Sequence, residues 1–227
     1  YGSRISDAGK NKVDIISRLA EEIGLGTSVK SFSKSISYKT AIEELKKCDV
    51  VFGCTDDHWG RSILCRLALY YYIPIFDMGV KVDSENGQIR SINGRTTVLL
   101  PNHACLFCRN RLDPQMLSSE IAEATNPQDA AMRRKEGYIP ELPGTAPAVI
   151  PFTTMVASTS IIEFLHRLTG FLGEDRKTNE VVHLFDQEKI GKNSRASKDD
   201  CFCGNNNLAG CGDVDPHALG LTWRNEI

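Results

Sequence analysis

The chain has 227 residues, 41% of them hydrophobic and 25% charged, with a formal net charge of −2. This balance fits one globular domain with a sizeable core, and it gives no electrostatic case for nucleic acid or an anionic membrane as the main partner. No apolar run approaches the ~20 residues of a membrane span and no signal-peptide pattern is visible, so a cytoplasmic protein is expected, although the first residue is Tyr1 and not Met.

From Asp7 the sequence is amphipathic, with Val13, Ile16, Leu19, Ala20 and Ile23 three or four apart before Gly24 and Gly26, which predicts a helix. Ser28–Ile36 alternates apolar and polar residues as a strand does. Thr40–Lys47 reads as a short helix leading into DVVFGCTDDHWGR, Asp49–Arg61. There Val50, Val51 and Phe52 form a β-branched and aromatic run closed by Gly53 and Cys54, the pattern of an interior strand of a parallel sheet. Arg61–Tyr72 is apolar and well supplied with helix formers, so Thr55, Asp56 and Asp57 fall between strand and helix. In open α/β sheets that is where ligands bind; the alternative is that Thr55 or an aspartate simply caps the helix.

Ile73–Asp77 predicts another short strand. Gly87–Leu100 holds two alternating runs around Asn93-Gly94, a strong hairpin signal, so an antiparallel pair is expected after the parallel units. Arg109–Pro147, rich in Pro, Ala and charge, reads as an excursion with short helices around Leu117–Ala124 and Gln128–Lys135. Such excursions often serve as lids or binding loops. Phe152–Leu172 predicts the most apolar helix, capped by Thr153 or Thr154 and stopped at Gly170 or Gly173. Glu180–Asp186 predicts a late strand, and a polar tail runs from Lys189.

Eight cysteines are many for such a chain. Cys48, Cys54 and Cys65 lie in or beside apolar segments and are expected in the core. Cys105 and Cys108 form a C-x-x-C, Cys201 and Cys203 a C-x-C, with Cys211 beyond. Paired, loop-flanked cysteines without secretory features point to metal more than to disulfides. Tetrahedral zinc takes four thiolates, which Cys105, Cys108, Cys201 and Cys203 can supply, with Cys211 as an alternative ligand. Four protein ligands leave no open position, so such a zinc site is structural and not catalytic.

Together the pieces resemble the ThiF/MoeB/HesA family of ubiquitin-activating-enzyme-like adenylyltransferases. The resemblance is carried by Gly9-Lys10-Asn11-Lys12-Val13 opening a helix, by Asp49–Asp57 followed by Arg61, and by Ile73-Pro74 leading to Asp77-Met78-Gly79. It continues through Gly87-Gln88, Cys105-Leu106-Phe107-Cys108, the Gly144–Pro147 turn and the second cysteine cluster. It implies an α/β, Rossmann-like, mostly parallel sheet with an antiparallel hairpin extension and a zinc-tethered tail. Residues 1–227 would form one domain, with an excursion at about 109–150 and a zinc-binding tail at about 189–215.

The resemblance implies ATP-dependent adenylation of the C-terminal carboxylate of a ubiquitin-like or sulfur-carrier protein or peptide with a Gly-ending tail, with ATP, magnesium and zinc bound and a homodimer formed. By the match, Asp56 holds magnesium with the triphosphate, Lys12 reaches the phosphates, and Arg61 and the Thr55–Asp57 loop complete the nucleotide site; Asp57 replaces the family's usual asparagine. Thr145 and the Pro140–Pro147 turn would line the path of the incoming tail. Two departures stand out. The family's Gly-rich phosphate loop, and the aspartate and arginine after its second strand, do not occur in these residues, which reads as an amino-terminally incomplete member or a form unable to adenylate. No cysteine lies between Cys108 and Cys201, which excludes a thioester in the excursion. The rival expectation is a catalytically inactive scaffold that docks a partner and keeps a structural zinc.

Overall fold

The computed structural model describes residues 2–142, 149–212 and 223–224. Helix α1, Lys12–Ile23, starts where the apolar period starts and ends at Gly24, whose φ of 73° is the left-handed stop that glycine adopts most readily. None of its residues is buried. Ile16 and Ile23 stay 58% and 68% exposed, so the amphipathic face predicted from sequence lacks a complete cover among the described residues. Ser28–Ile36 is not a strand. Its alternation is real, but among the described residues β1, Val51–Gly53, hydrogen-bonds only to β2, Ile75–Glu85, and a strand without a neighbour leaves its backbone groups to water.

Helix α2, Lys39–Leu45, turns in Ala41 and Ile42. Helix α3, His58–Tyr70, buries ten residues. Ile63, Leu64 and Leu67 are at most 1% exposed, each contributing about 1.5–3 kcal/mol by burial. The sheet continues through β3, Gln88–Leu99, β4, Glu180–Leu184, and β5, Lys189–Asn193, in the order β1-β2-β3-β4-β5. The β1–β2 pair is parallel; the pairings β2–β3, β3–β4 and β4–β5 are antiparallel. The antiparallel extension is thus larger than the hairpin expected, and β5 makes a strand of the start of the predicted polar tail. The excursion contains α4, Pro114–Thr125, and α5, Pro127–Lys135. Helix α6, Ile150–Thr169, lies on β2 and β3. Its N-cap is Val149, followed by Pro151 in the first turn; the Thr153 hydroxyl bonds back to the Ile150 carbonyl at 3.1 Å and caps nothing. No helix among the described residues is long and apolar enough to cross a membrane.

The hairpin turns at Asn86-Gly87, with φ of 52° and 77°, the left-handed pair of a type I′ turn. Asn93-Gly94, predicted to be the turn, lies inside β3, paired with Lys81 and Val80. Gly94 is required by packing: a Cβ there would fall 2.5 Å from Val156 Cγ2 and 2.7 Å from a Phe185 ring carbon. Gly94→Ala is accordingly expected to cost about 1–3 kcal/mol by overpacking, read as a lowered urea midpoint with an unchanged slope. An unaltered midpoint would show that α6 rides freely on the sheet.

The two sheet faces differ in chemistry. On the α6 face Phe52, Phe76 and Phe164 meet with ring centroids 5.3–5.8 Å apart. On the opposite face α3 packs so closely that a Cβ at Gly53 would lie 2.5 Å from Leu64 Cδ1.

Candidate functional site

At the carboxyl end of β1 the chain passes through Cys54, Thr55 and Asp56 into α3. Asp57 is the N-cap of α3, its carboxylate accepting from the Gly60 amide at 2.5 Å. The two preceding amides, His58 and Trp59, donate to Glu120 of α4 at 3.1 and 2.8 Å. The helix N-terminus, which favours negative charge, is thereby occupied by two carboxylates of the chain itself. The capping alternative therefore holds for Asp57. Asp56 stands exposed, and among the described residues it has no hydrogen-bond or ion-pair partner. Thr55 is half-buried and its Oγ1 has no partner either. A cleft of about 370 Å³ opens beside this loop between Ser37, Asp57, Trp59, Gly60, Glu120 and Arg224. The indole N–H of Trp59, a residue only 3% exposed, has no acceptor there.

Lys12 is exposed at the start of α1, and no hydrogen bond or ion pair joins it to Thr55, Asp56, Asp57 or Arg61 among the described residues. Arg61 points inward from α3. Its Nε lies 3.5 Å from Oδ1 of Asp77, a fully buried carboxylate that Arg95 of β3 also pairs. Burial pushes the Asp77 carboxyl upward against the pull of Arg95 and Arg61, and burial likewise lowers Arg61.

Asp77 opens a row that sequence reasoning missed. Gly53, Asp77, Thr97, Glu180 and Asn193 are cross-strand neighbours on all five strands. Thr97 donates to Glu180 at 3.1 Å and Asn193 donates to it at 2.8 Å. Arg109 and Arg111, just after the C-x-x-C, each lie 3.3 Å from Glu180. Arg109 also donates to Asn193 at 2.8 Å and to Asn179. A sequence signal existed, since a carboxylate sits inside each of two apolar strand runs, at Ile75-Phe76-Asp77 and at Glu180-Val181-Val182.

The cysteine expectations divide. Cys65 is buried, but Cys48 and Cys54 are exposed, because one lies three residues past the end of α2 and the other just beyond β1. Cys105, Cys108, Cys201 and Cys203 gather with all four Sγ atoms within 4.8 Å of one another, and Cys211 is not in the group. The separations are 3.6 Å for Cys105–Cys201, 3.4 Å for Cys108–Cys203 and 4.0 Å for Cys105–Cys108. A tetrahedron with Zn–S near 2.3 Å has edges of about 3.8 Å, so the donor set fits zinc. The Lys198 amide donates to Cys108 Sγ at 3.5 Å, as backbone amides do for ligating thiolates. Burial pushes the Cys201 thiol up to about 11, an environment that a divalent cation would reverse. Phe107 and Phe202 cover the cluster edge to face with centroids 5.8 Å apart, and Arg66 of α3 lies 4.9 Å over Phe202. Of the predicted tail path, Pro140 accepts from Ser119 at 2.8 Å; Thr145 and the turn to Pro147 lie outside the described residues.

Comparison with known proteins follows the same lines. No curated protein matches the sequence with significance. Among solved structures, E. coli MccB with MccA-N7isoASN aligns with a TM-score of 0.61 at 12% identity, over 93% of this chain and 54% of that one. E. coli MccB with ATP aligns with a TM-score of 0.59 at 12% identity, over 89% and 53%. The microcin C7 biosynthetic enzyme MccB in complex with N-formylated MccA aligns at 0.60 and 11% identity, over 90% and 55%. These identities speak for the fold, and the chain spans about half the length of each MccB chain. The family evidence is independent of them: the ThiF family profile matches residues 1–205, so the chain belongs to the ThiF family.

Proposed function

We propose that this chain carries out part or all of the ATP-dependent adenylation of a C-terminal carboxylate, that of a ubiquitin-like or sulfur-carrier protein or peptide with a Gly-ending tail, and works as a homodimer. The observation that carries the reading is Asp56, an exposed carboxylate without a partner among the described residues, at the carboxyl end of β1 in a ThiF-family chain. The similar MccB structures hold ATP in one case and N-formylated MccA in another, which supports a nucleotide and a second ligand for this fold.

In such a reaction a carboxylate oxygen attacks the α-phosphorus, an acyl-adenylate forms and pyrophosphate leaves. Charge accumulates at the phosphates and must be met by fixed cations. Asp56 would hold magnesium, which neutralises phosphate charge when bound. Lys12 would bring a point charge on a long stem to the phosphates, and Arg61 a planar fork. Thr55, next to Asp56, has a buried hydroxyl with no hydrogen-bond partner among the described residues, while Asp57 keeps α3 in position. The four-cysteine group would hold zinc, pinning the tail beneath α3.

ATP–pyrophosphate exchange driven by a Gly-ending partner protein tests the reading. Asp56→Ala is expected to slow exchange by about 10²–10³-fold, the range for losing one electrostatic stabiliser. Exchange by the variant at the wild-type rate would refute it. The internal capping of α3 by Asp57 and Glu120 favours a second reading, a docking scaffold without turnover; a scaffold would show no ATP-dependent rise in melting temperature.

A further inference from the structure

The four-cysteine group leans on a residue that is not one of its ligands. Lys198 lies three residues before Cys201 and is exposed, yet its backbone is engaged at both ends. Its amide donates to Cys108 Sγ at 3.5 Å, and its carbonyl accepts from the Cys201 amide at 3.1 Å. The backbone of one residue thus joins a sulfur of the first cysteine pair to the main chain that carries the second. Four thiolates outweigh the charge of one divalent cation, and Cys105, Cys108 and Cys203 are buried at 4%, 1% and 5% exposure. Negative charge held away from water needs hydrogen-bond donors, and an N–H on a thiolate both offsets charge and fixes the direction of the ligand.

Gly204 closes over the same carbonyl. A C-x-C has one residue fewer to turn with than a C-x-x-C, and the chain folds back at once through the 3-10 turn Phe202–Gly204, the Gly204 amide donating to the Cys201 carbonyl at 2.9 Å. Residue 204 is thereby set against Lys198. A Cβ there would overlap the Lys198 carbonyl oxygen and lie 3.2 Å from its carbon. Wherever else among the described glycines a Cβ would come within 3.0 Å of another atom, that atom belongs to a side chain, which can swing aside; at Gly204 it is backbone. Gly204 is not among the glycines of positive φ, so space and not conformation requires glycine here. A methyl group at this position pushes the Lys198 carbonyl outward and draws the amide of the same residue off Cys108.

We propose that Gly204 and the Lys198 amide are positioning elements of the cysteine cluster: by letting the tail turn close over the Lys198 carbonyl, Gly204 keeps the Lys198 amide on Cys108 Sγ and so sets how tightly the site retains zinc. Neither group touches the metal. The inference rests on the zinc reading of the four cysteines and is independent of adenylation.

Competition for zinc between the full chain and a chromogenic chelator tests it. Gly204→Ala leaves all four thiols in place and is expected to weaken zinc binding about 10–100-fold, the range for losing an outer partner of a metal ligand. Gly191→Ala is the control, because the nearest atom to a Cβ there is 3.9 Å away, and its zinc affinity should equal that of wild type. Melting temperatures separate positioning from plain packing. In excess chelator nothing gathers the thiols and closes the turn, so Gly204→Ala and wild type should melt alike, while zinc should raise the melting temperature less in the variant. Equal zinc affinity of the two chains, or a variant that melts as far below wild type in chelator as in zinc, would overturn the proposal. The zinc reading fails separately: a wild-type chain that binds no zinc removes both ideas, whereas zinc held equally tightly by both chains removes the positioning role alone.

Discussion

Replacing Cys108 by serine is expected to lower the melting temperature by about 10 °C or more, and chelation of the wild-type chain should do the same. Cys108 is 1% exposed and stands 3.4 Å from Cys203, which the tail brings back across the chain. Structural zinc contributes its binding free energy to folding outright. Loss of a metal site belongs to the few single changes that exceed about 4 kcal/mol, and 1 kcal/mol moves the midpoint of a domain of this size by about 2–4 °C. Cys48→Ser is the control: that thiol is exposed, just past the end of α2, and among the described residues bonds only to the Glu44 carbonyl at 3.7 Å, so its midpoint should hold. Equal melting of chelated and untreated protein would mean that the four thiols hold no metal.

The second large effect is expected at Glu180. Glu180→Ala should cost about 3–5 kcal/mol, the cost of removing one partner from a buried charge pair, because Arg109 would be left 3% exposed with its charge facing only amides. Denaturant unfolding reads this directly, and a loss below about 1 kcal/mol would show that Arg109 re-pairs or reaches water. The same carboxylate sets a pH dependence. Burial opposes its ionisation, but hydrogen bonds from Asn193 and Arg111 and the charges of Arg111 and Arg109 prevail and hold it below the usual carboxylate range. A depressed folded-state value means the stabilisation is present above the ordinary glutamate range and is lost as pH falls through the lower, folded value. Acid unfolding should therefore set in at higher pH in wild type than in a Glu180→Gln chain of otherwise similar stability.

Much of the chain was legible from residue order. The period of α1, the β1 run with its loop of carboxylates, the α3 and α6 helices and the C-x-x-C all depend on neighbours a few residues apart, where propensity and periodicity act. The misreadings have a common cause. Asn86-Gly87 and Asn93-Gly94 are the same turn dipeptide, and residue order cannot choose between them; Asn86-Gly87 makes the turn, while Gly94 lies inside β3 where α6 comes close. Ser28–Ile36 alternates as a strand should and forms none, because the alternation says nothing about whether a neighbouring strand exists. Cys54 looked apolar by context and lies at the surface, since one residue beyond a strand end is enough to leave the core.

The candidate site divides in the same way. Thr55, Asp56 and Asp57 at a strand-to-helix junction, and two cysteine pairs of ligand spacing, are local patterns, and the sequence by itself placed them. It could not place Asp77, Arg95, Glu180 and Arg109 in one buried row, bring two cysteine pairs 95 and 96 residues apart within thiol contact, or hand the N-terminus of α3 to Glu120 from 61 residues away. Those belong to strand register and helix docking. Both are decided by burying apolar surface over the whole chain, and charged side chains then take whichever partners that packing leaves within reach.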